Sequence, residues 1–150
     1  DLASQKERMI PKNELRYSYR EQHFLHPHEI VWAATLQLQE EPAEEIKKRL
    51  AEAIRKRKLA QPIELPSCGS VFRNPEEKSS WKCVEEVGLR GVARGGAQFS
   101  PKHCNFIVNN GGATRADVLF LVEMAQKKVK EELGINLIRE VVLMEPKRIS

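Results

Sequence analysis

The sequence has few cysteines and no long apolar run, and both absences limit what the protein can be. Cys68, Cys83 and Cys104 are widely spaced and include no Cys-x-x-Cys pair, which argues against a disulfide framework and a zinc site. The longest apolar stretches, 30–34 and 118–122, are far shorter than the ~20 residues that span a bilayer core. We therefore expect a soluble protein of the reducing cytoplasm.

The amino terminus lacks an initiator methionine and the apolar core of a signal peptide. We therefore expect Asp1 to be a cut end inside a longer protein. A length of 150 residues with 41% hydrophobic content favours a single domain, or one domain with an appendage. The formal charge of +4 fits a nucleic acid, an anionic surface or a phosphorylated small molecule equally well, so charge does not choose among them.

Hydrophobic periodicity predicts the elements of the first 60 residues. A short helical turn is expected within 11–19, and β-branched residues with alternating polarity predict a strand at 29–38. Apolar residues every fourth position predict an amphipathic helix over 42–58, which Pro42 can begin. Its basic run at 55–58 lies in the last turn, where cations are favoured by the helix dipole and usually face solvent.

Glycine and proline dominate residues 61–112, which indicates shaped loops with short elements between them. A short helix is predicted at 79–87, and brief strands at Phe72, 98–100 and 105–108.

The clearest element follows these loops. Thr114 and Asp117 form a capping box ahead of an apolar stripe that stops at Gly134, so a helix is predicted between them. Residues 135–144 then predict a final strand. Helices between strands make the fold α/β or α+β.

Three segments have side chains suited to a site. In 66–75 two prolines fix the ends and Gly69 permits a turn, which holds the hydroxyl of Ser70, the guanidinium of Arg73 and the amide of Asn74 close together. Such a cluster can donate a proton and bind anionic oxygens. A hairpin with surface polar groups explains the same composition.

The other two segments give weaker signals. His103, within 95–109, has no partner spaced for catalysis or metal binding, so a structural role is expected. Glu140 lies among apolar neighbours that favour its protonated form, unless it alternates to the solvent face. Tyr19 and Arg20 can form an anion clamp or a surface pair.

Taken in order, these segments resemble the UDP-N-acetylenolpyruvoylglucosamine reductase family. The short interval between Arg20 and Ser70 is similar to the family's second type, which lacks an extra substrate-covering loop. The resemblance covers residues 17–145 and rests on the Tyr-Arg pair at 19–20 and on the segments 61–75, 85–91, 95–97, 100–109, 113–118 and 139–141.

The resemblance implies a flavoenzyme of peptidoglycan synthesis, in which NADPH reduces bound FAD and the flavin passes hydride to UDP-N-acetylglucosamine enolpyruvate. It implies an α+β fold in three parts. Residues 1–41 correspond to a remnant of the FAD-binding domain, 42–62 to a connecting helix and linker, and 63–150 to an α/β substrate-binding domain with the final strand.

The resemblance also assigns roles to residues. Ser70 matches the serine that delivers a proton to the substrate, Arg20 the arginine that binds the substrate carboxylate, and Glu140 the glutamate that assists protonation. Tyr19, Arg73 and Asn74 are the expected substrate-binding residues, with Asn74 and nearby basic groups at the diphosphate. The mild positive charge is then explained without nucleic acid or membrane.

The sequence departs from the family in three ways. Ala60 stands where a lysine usually precedes Gln-Pro, so one diphosphate contact is lost or passes to Arg57 or Lys58. Gln22 replaces a serine that usually follows the arginine. The glycine-rich FAD-binding segments are absent, so the chain alone is not expected to hold FAD and needs the missing N-terminal FAD-binding region as its partner.

Two alternatives remain at this point. A basic nucleic-acid-binding module would use the basic residues at 55–58 and 127–130, although the sequence lacks interleaved aromatic residues. An inactive scaffold derived from the reductase is favoured by Ala60 and disfavoured by the presence of Ser70, Arg20 and Glu140.

Overall fold

A computed structural model describes residues 1–144 of the chain. It combines helices with antiparallel strands, and the predicted α+β class is confirmed. The chain divides into two compact units, of which the first is Asp1–Glu41 and the second begins at Pro42. Residues 145–150, the end of the predicted C-terminal domain, lie outside the described residues.

The first unit has little regular structure. The predicted helical turn at 11–19 is limited to a 3₁₀ turn at Lys12–Glu14. It is followed by a hairpin of two-residue strands, β1 (Tyr17–Ser18) and β2 (Glu21–Gln22), which the sequence pattern did not indicate. Within residues 1–41 no side chain is classed as buried.

The prediction of a strand at 29–38 is wrong. The segment belongs to no ladder, and Trp32, Leu36 and Leu38 are 75–83% exposed. A strand requires a neighbour that accepts and donates its backbone hydrogen bonds. Within 1–41 the only strands are β1 and β2, which pair with each other, so the β-prone sequence of 29–38 has nothing to pair with.

The second unit begins with helix α1 (Ala43–Ala60), which confirms the predicted amphipathic helix. Its apolar stripe of Ile46, Leu50 and Ile54 is nevertheless 46–59% exposed, and no residue of α1 is buried. No helix within residues 1–144 is both long enough and apolar enough to cross a membrane.

The remainder of the second unit is a four-stranded antiparallel sheet with two helices. The strand order is β3-β6-β5-β4, so β3 and β4 are the edges. The predicted helix at 79–87 and the predicted strands at 98–100 and 105–108 are present with each end shifted by one residue. These elements are β3 (Ser67–Ser70), α2 (Ser80–Glu86), β4 (Ala93–Arg94), β5 (Ala97–Phe99), β6 (Phe106–Asn109) and α3 (Arg115–Leu133).

Helix α3 confirms the capping-box prediction. The Thr114 side chain accepts from the Asp117 N–H at 3.2 Å, and the Asp117 carboxylate accepts from the Thr114 N–H at 2.9 Å. Gly134 ends the helix in the left-handed conformation, at φ 72°. The apolar stripe of α3 packs on β4, β5 and α2, where Leu121 and Val129 are fully buried. Burial of this stripe provides the core of the second unit.

The predicted strand at 135–144 is wrong except at one position. Arg139 forms an isolated antiparallel bridge with Phe72, and Val142 and Met144 are more than 80% exposed. The reason lies in β3, which pairs with β6 up to Ser70 and so leaves only the residues just after it for the C-terminal segment.

Candidate functional site

Ser70 is the last residue of β3, at a point where the strand pairing is irregular. Ser67 pairs with Val108 but Ser70 pairs with Phe106, so the register shifts between them. Gly69 lies inside this shift with φ at 80°, a conformation that side-chain-bearing residues rarely adopt. Ser70 is half-buried at the end of this bulged edge strand.

Glu140 is held beside the residue that follows Ser70. The Glu140 N–H donates to the carbonyl oxygen of Val71 at 2.8 Å, next to the bridge between Arg139 and Phe72. Like Ser70, Glu140 is half-buried. Two of the predicted catalytic residues, 70 positions apart in the sequence, are thus joined through one backbone hydrogen bond and one peptide unit.

A buried amide holds the same segment from the other side. The Asn105 side chain accepts from the Phe72 N–H and donates to the Phe72 carbonyl oxygen, both at 2.9 Å. The Asn105 carbonyl oxygen accepts from the Val71 N–H at 2.8 Å. Asn105 is 4% exposed. In the sequence, Asn105 is one of several side chains within 95–109 that can form hydrogen bonds, and its position at the start of the apolar run 106–108 is the signal for a buried role.

The predicted substrate-binding residues of this loop are fixed by structural bonds. The Asn74 side-chain oxygen accepts from the N–H and the hydroxyl of Ser80, each at 3.0 Å, at the start of α2. Arg73 is half-buried, and its N–H donates to the carbonyl oxygen of Ile138 at 2.9 Å. Asn74 therefore helps to cap a helix, which the sequence analysis did not foresee.

Tyr19 and Arg20 lie in the first unit, as the two residues between β1 and β2. Arg20 has φ at 64°, and its guanidinium lies 5.6 Å from the centroid of the Tyr19 ring. A left-handed conformation is uncommon for a residue with a long side chain, and such strain is frequent at functional positions. Arg20 lies in the first unit and Ser70 and Glu140 lie in the second, and their common role at one substrate stays a prediction.

His103 has a structural environment. Its ring meets Phe106 edge to face, with centroids 4.9 Å apart, and its Nδ1 accepts from the Asn105 N–H at 3.3 Å. Burial lowers the pKa of His103 below its usual value, and the cation of Arg90 acts in the same direction. A neutral ring that accepts at Nδ1 fits the structural role expected from the sequence.

A shallow groove of about 390 Å³ lies between β3, β6 and the start of α3. It is lined by Ser67, Cys68 and Asn109, among others, and burial raises the pKa of the Cys68 thiol. A protonated thiol is a poor nucleophile and metal ligand. Among residues 1–144, no group of three or more His, Cys, Asp or Glu side chains is arranged to hold a metal ion.

The basic runs at 55–58 and 127–130 are partly neutralised by acidic residues of the same helices. Arg55 pairs with Glu52 at 2.9 Å and Lys127 with Glu131 at 3.9 Å. The Lys128 ammonium donates to the Val87 carbonyl oxygen at 2.9 Å, at the end of α2. These contacts are those of solvated helix faces and helix ends.

Comparison with known proteins identifies the family. The family described as "UDP-N-acetylenolpyruvoylglucosamine reductase, C-terminal domain" matches residues 61–144. A UDP-N-acetylenolpyruvoylglucosamine reductase of Geotalea uraniireducens is 45% identical over 130 residues, which are 87% of this chain and 43% of that protein. A reductase of the same name from Thermotoga sp. is 43% identical over 133 residues, covering 88% of this chain and 44% of that protein.

A solved structure agrees with the sequence matches. The crystal structure of UDP-N-acetylenolpyruvylglucosamine reductase from Thermus caldophilus aligns with a TM-score of 0.69 and 43% identity, over 86% of this chain and 46% of that one. The chain thus spans less than half the length of these relatives. The chain belongs to the UDP-N-acetylenolpyruvoylglucosamine reductase family, and its residues 61–144 match the C-terminal domain of that family.

Proposed function

We propose that this chain is the substrate-handling part of an NADPH-dependent flavoenzyme that reduces UDP-N-acetylglucosamine enolpyruvate to UDP-N-acetylmuramate in the cytoplasm, for peptidoglycan synthesis. Family membership supports the oxidoreductase class. The observation that carries the proposal is the hydrogen bond that joins the Glu140 and Val71 backbones, because it brings the predicted acid pair, Ser70 and Glu140, to neighbouring positions.

The role of Ser70 is to deliver a proton. Reduction of the enolpyruvyl double bond adds a hydride to the methylene carbon and a proton to the adjacent carbon. The flavin would supply the hydride, and the Ser70 hydroxyl would supply the proton. A serine hydroxyl is a weak acid in water, but a fixed hydroxyl beside a strongly basic carbon is an effective donor. The half-buried position of Ser70 at the end of a bulged strand supports this role.

Glu140 and Arg20 would manage the charge of the substrate. A protonated Glu140 can donate a hydrogen bond to the oxygen on which negative charge develops, and the Arg20 guanidinium can bind the carboxylate with two donors. The left-handed backbone of Arg20 and the contact of its guanidinium with the Tyr19 ring support a binding role, since strained backbone is frequent at functional positions.

The remaining contacts would bind the nucleotide-sugar. The Asn74 oxygen accepts from Ser80, and the NH₂ group of this exposed amide is a hydrogen-bond donor. Phosphate oxygens accept such bonds and attract the Arg73 cation. Tyr19, which is 59% exposed, can contribute its ring and hydroxyl. The partial neutralisation of the basic runs gives no support to a nucleic-acid function.

Residues 1–41 do not form a flavin site by themselves. A flavin site is a concave, largely apolar pocket, whereas no residue within 1–41 is buried. We propose that the region carried by the longer relatives binds FAD and NADPH and is the partner of this chain. Residues 1–41 are then a remnant of that FAD-binding domain, 42–62 a connecting helix and linker, and 63–150 the substrate-binding domain.

The exposed stripe of α1 supports such a partner. Ile46, Leu50 and Ile54 form a continuous apolar face that solvent covers in this structure. Helix α1 carries seven basic and three acidic residues, a net charge of 7 − 3 = +4, so two copies of the helix repel each other. A different, less basic polypeptide surface is therefore the better occupant.

A pair of variants tests this surface. Leu50→Asp puts a charge into the stripe, whereas Leu59→Asp makes the same change nine residues later, roughly 180° around the helix. Binding of the chain to the separately expressed upstream half of the Thermotoga relative is measured by calorimetry. We expect Leu50→Asp to abolish binding and Leu59→Asp to preserve it. Equal loss in both variants would refute the assignment of the stripe.

Activity tests the proposal as a whole. NADPH oxidation with UDP-N-acetylglucosamine enolpyruvate is measured for the chain alone and after joining it to the upstream half of that relative. We expect no turnover from the 150-residue chain and robust turnover from the joined protein. Activity in the chain alone would disprove the need for a flavin-binding partner, and an inactive joined protein that retains bound FAD would disprove the reductase function.

The serine assignment has its own measurement. In the joined protein, Ser70→Ala is expected to lower product formation by about 10²- to 10⁴-fold, as loss of a positioned acid does, while flavin reduction by NADPH continues at its normal rate. Stopped-flow absorbance separates the two half-reactions. Normal product formation in this variant would remove Ser70 from the mechanism.

A further inference from the structure

We propose that Asn105 is a positioning residue, which sets the distance between the Ser70 hydroxyl and the Glu140 carboxyl. The inference rests on the proposed function and adds to it a residue that neither touches the substrate nor resembles a catalytic group. Its evidence is a change of hydrogen-bonding partner in the backbone immediately after Ser70.

The chain changes neighbours between Ser70 and Phe72. Up to Ser70 the strand pairs with β6, and its partner there is Phe106. Val71 is bonded on both sides, because its N–H donates to the Asn105 carbonyl oxygen, just before β6, and its carbonyl oxygen accepts from the Glu140 N–H. At Phe72 the backbone bridge is to Arg139 in the C-terminal segment. At such a crossing the regular ladder ends, and backbone groups that face the former partner strand need other acceptors and donors.

The Asn105 side chain supplies both groups. Its oxygen accepts from the Phe72 N–H and its NH₂ donates to the Phe72 carbonyl oxygen, each at 2.9 Å, as a backbone residue of a paired strand would. The Asn105 carbonyl oxygen binds the Val71 N–H at 2.8 Å. One residue thus holds three successive peptide units, and it is itself only 4% exposed.

Position is transmitted to both catalytic residues through short, stiff links. Ser70 precedes Val71 by one peptide bond, and Glu140 is bonded to the Val71 carbonyl oxygen. Ser70 is attached at the Val71 nitrogen and Glu140 at the Val71 carbonyl oxygen, so a rotation of these peptide units changes the distance between the hydroxyl and the carboxyl. A displacement on the order of 1 Å in a reacting group is sufficient to lower a rate about 100-fold.

Two substitutions distinguish a positioning role of Asn105 from a role in filling the core. Asn105→Leu retains the volume of the side chain but leaves the Phe72 N–H without a partner, and it leaves the Phe72 carbonyl oxygen with only the Ser80 hydroxyl, at 3.4 Å. Asn105→Asp retains one acceptor, but its ionised form cannot donate to the carbonyl oxygen, whereas its protonated form can. A buried carboxyl has a raised pKa, so the aspartate variant regains the missing donor as the pH falls.

The kinetic arm uses the chain joined to the upstream half of the Thermotoga relative. For Asn105→Leu we expect a fall in kcat of about 10- to 100-fold, with little change in KM and normal flavin reduction by NADPH. For Asn105→Asp we expect the ratio of its kcat to that of the wild type to rise as the pH falls from about 8 to about 6. Asn105→Leu should show no such rise.

Val129→Ala serves as the matched control, because Val129 is a buried core residue in α3 that makes none of these bonds. It should lower the melting temperature comparably while leaving kcat unchanged. If Val129→Ala lowers kcat as much as Asn105→Leu, or if the kcat ratio of Asn105→Asp is independent of pH, positioning by Asn105 is overturned.

Hydrogen exchange on the 150-residue chain gives a readout that needs no catalysis. In Asn105→Leu the amides of Phe72 and Glu140 should lose protection selectively, whereas Val129→Ala should lower protection throughout the core. Unchanged protection at those two amides overturns the inference. If the joined wild-type protein binds FAD without turnover, the proposed function fails, and this exchange experiment still decides whether Asn105 holds the two segments together.

Discussion

Large apolar residues are mostly exposed in the region before residue 61, whereas in the domain after it they form a buried core. In the domain, Leu121 and Phe99 are fully buried in one core. In the earlier region, Trp32 is 80% and Leu50 is 59% exposed, although the sequence patterns around them are as regular as those in the domain. The same amphipathic periodicity gives a packed helix in α3 and an uncovered helix in α1.

A pattern of apolar residues in the sequence therefore specifies a helix and its apolar face, but it does not specify what covers that face. Helix α3 packs against strands and a helix that belong to its own unit. The apolar face of α1 remains in solvent, and exposed apolar area of this kind is characteristic of surfaces that bind another polypeptide. The contribution of each region to the free energy of unfolding can be compared directly by mutation of the 150-residue chain.

The largest effect is expected at Gly96, where the domain packs most closely. A Cβ atom there would lie 2.1 Å from the Gly111 carbonyl oxygen and 2.4 Å from the Ala113 nitrogen, and backbone atoms cannot move aside cheaply. Gly96→Ala should destabilise the domain by more than about 4 kcal/mol. The control Gly134→Ala, in open space at φ 72°, should cost only about 1–2 kcal/mol.

Urea unfolding followed by fluorescence measures both variants. Trp81 reports on the domain once the exposed Trp32 is replaced by Phe. A Gly96→Ala variant that is as stable as Gly134→Ala would show that the loop at 111–113 yields easily, and that the domain is less tightly packed than the comparison requires.

The same leucine substitution in the two helices tests the comparison most directly. Leu121→Ala removes a fully buried side chain and should cost about 2–5 kcal/mol. Leu50→Ala removes an exposed one and should cost less than about 0.5 kcal/mol. Equal losses in the free energy of unfolding would mean that α1 is packed in solution, and the contrast between the regions would disappear.

A smaller difference is expected at the two helix starts. Thr114→Ala removes the cap of α3 and should cost about 1 kcal/mol, whereas Thr114→Ser keeps the hydroxyl and should be nearly neutral. Helix α1 begins after Pro42, which makes no side-chain cap bond, so Pro42→Ala should change stability less than Thr114→Ala does. The free energies of unfolding in urea again provide the measurement, and a costlier change at Pro42 would contradict the expectation.

The smallest effect is expected in the first unit at low pH, where its stabilisation depends on the ionised carboxylate of Glu29. A hydrogen bond from Arg8 and one from the His26 backbone lower the pKa of Glu29 to about 2. Because the folded value lies below the unfolded value of about 4.3, the stabilisation is complete above about pH 4.3 and is lost as the pH falls towards 2. Titration of the Glu29 side chain by NMR should show this low midpoint, and Arg8→Gln should raise it. An ordinary midpoint in the wild type would contradict the Arg8 contact.

Much of the domain's secondary structure could be predicted, because its signals are local. The capping box at Thr114 and the glycine at 134 mark the ends of α3 in the sequence itself. The strands at 29–38 and 135–144 were predicted on equally good local patterns and are absent, apart from the bridge at Arg139. Strand formation depends on a partner elsewhere in the chain, and local pattern holds no information about that partner.

The sequence predicted the residue types of the candidate site better than it predicted their geometry. Resemblance to the family indicated Ser70 and Glu140, and the structure joins their segments through Val71. Asn105 was missed because its function lies in two bonds to the backbone of Phe72, a residue 33 positions away. Asn74 was expected at the diphosphate, and its oxygen bonds to Ser80.

Local periodicity and ordered motifs were enough to predict the family, the amphipathic helices α1 and α3, and the residue types available for proton transfer and anion binding. Only the tertiary structure decided that the strand ending at Ser70 changes neighbours and that Asn105 holds it there. It also decided that the apolar face of α1 remains uncovered. Pairing and burial are relations between distant segments, and their free energy exists only once those segments meet.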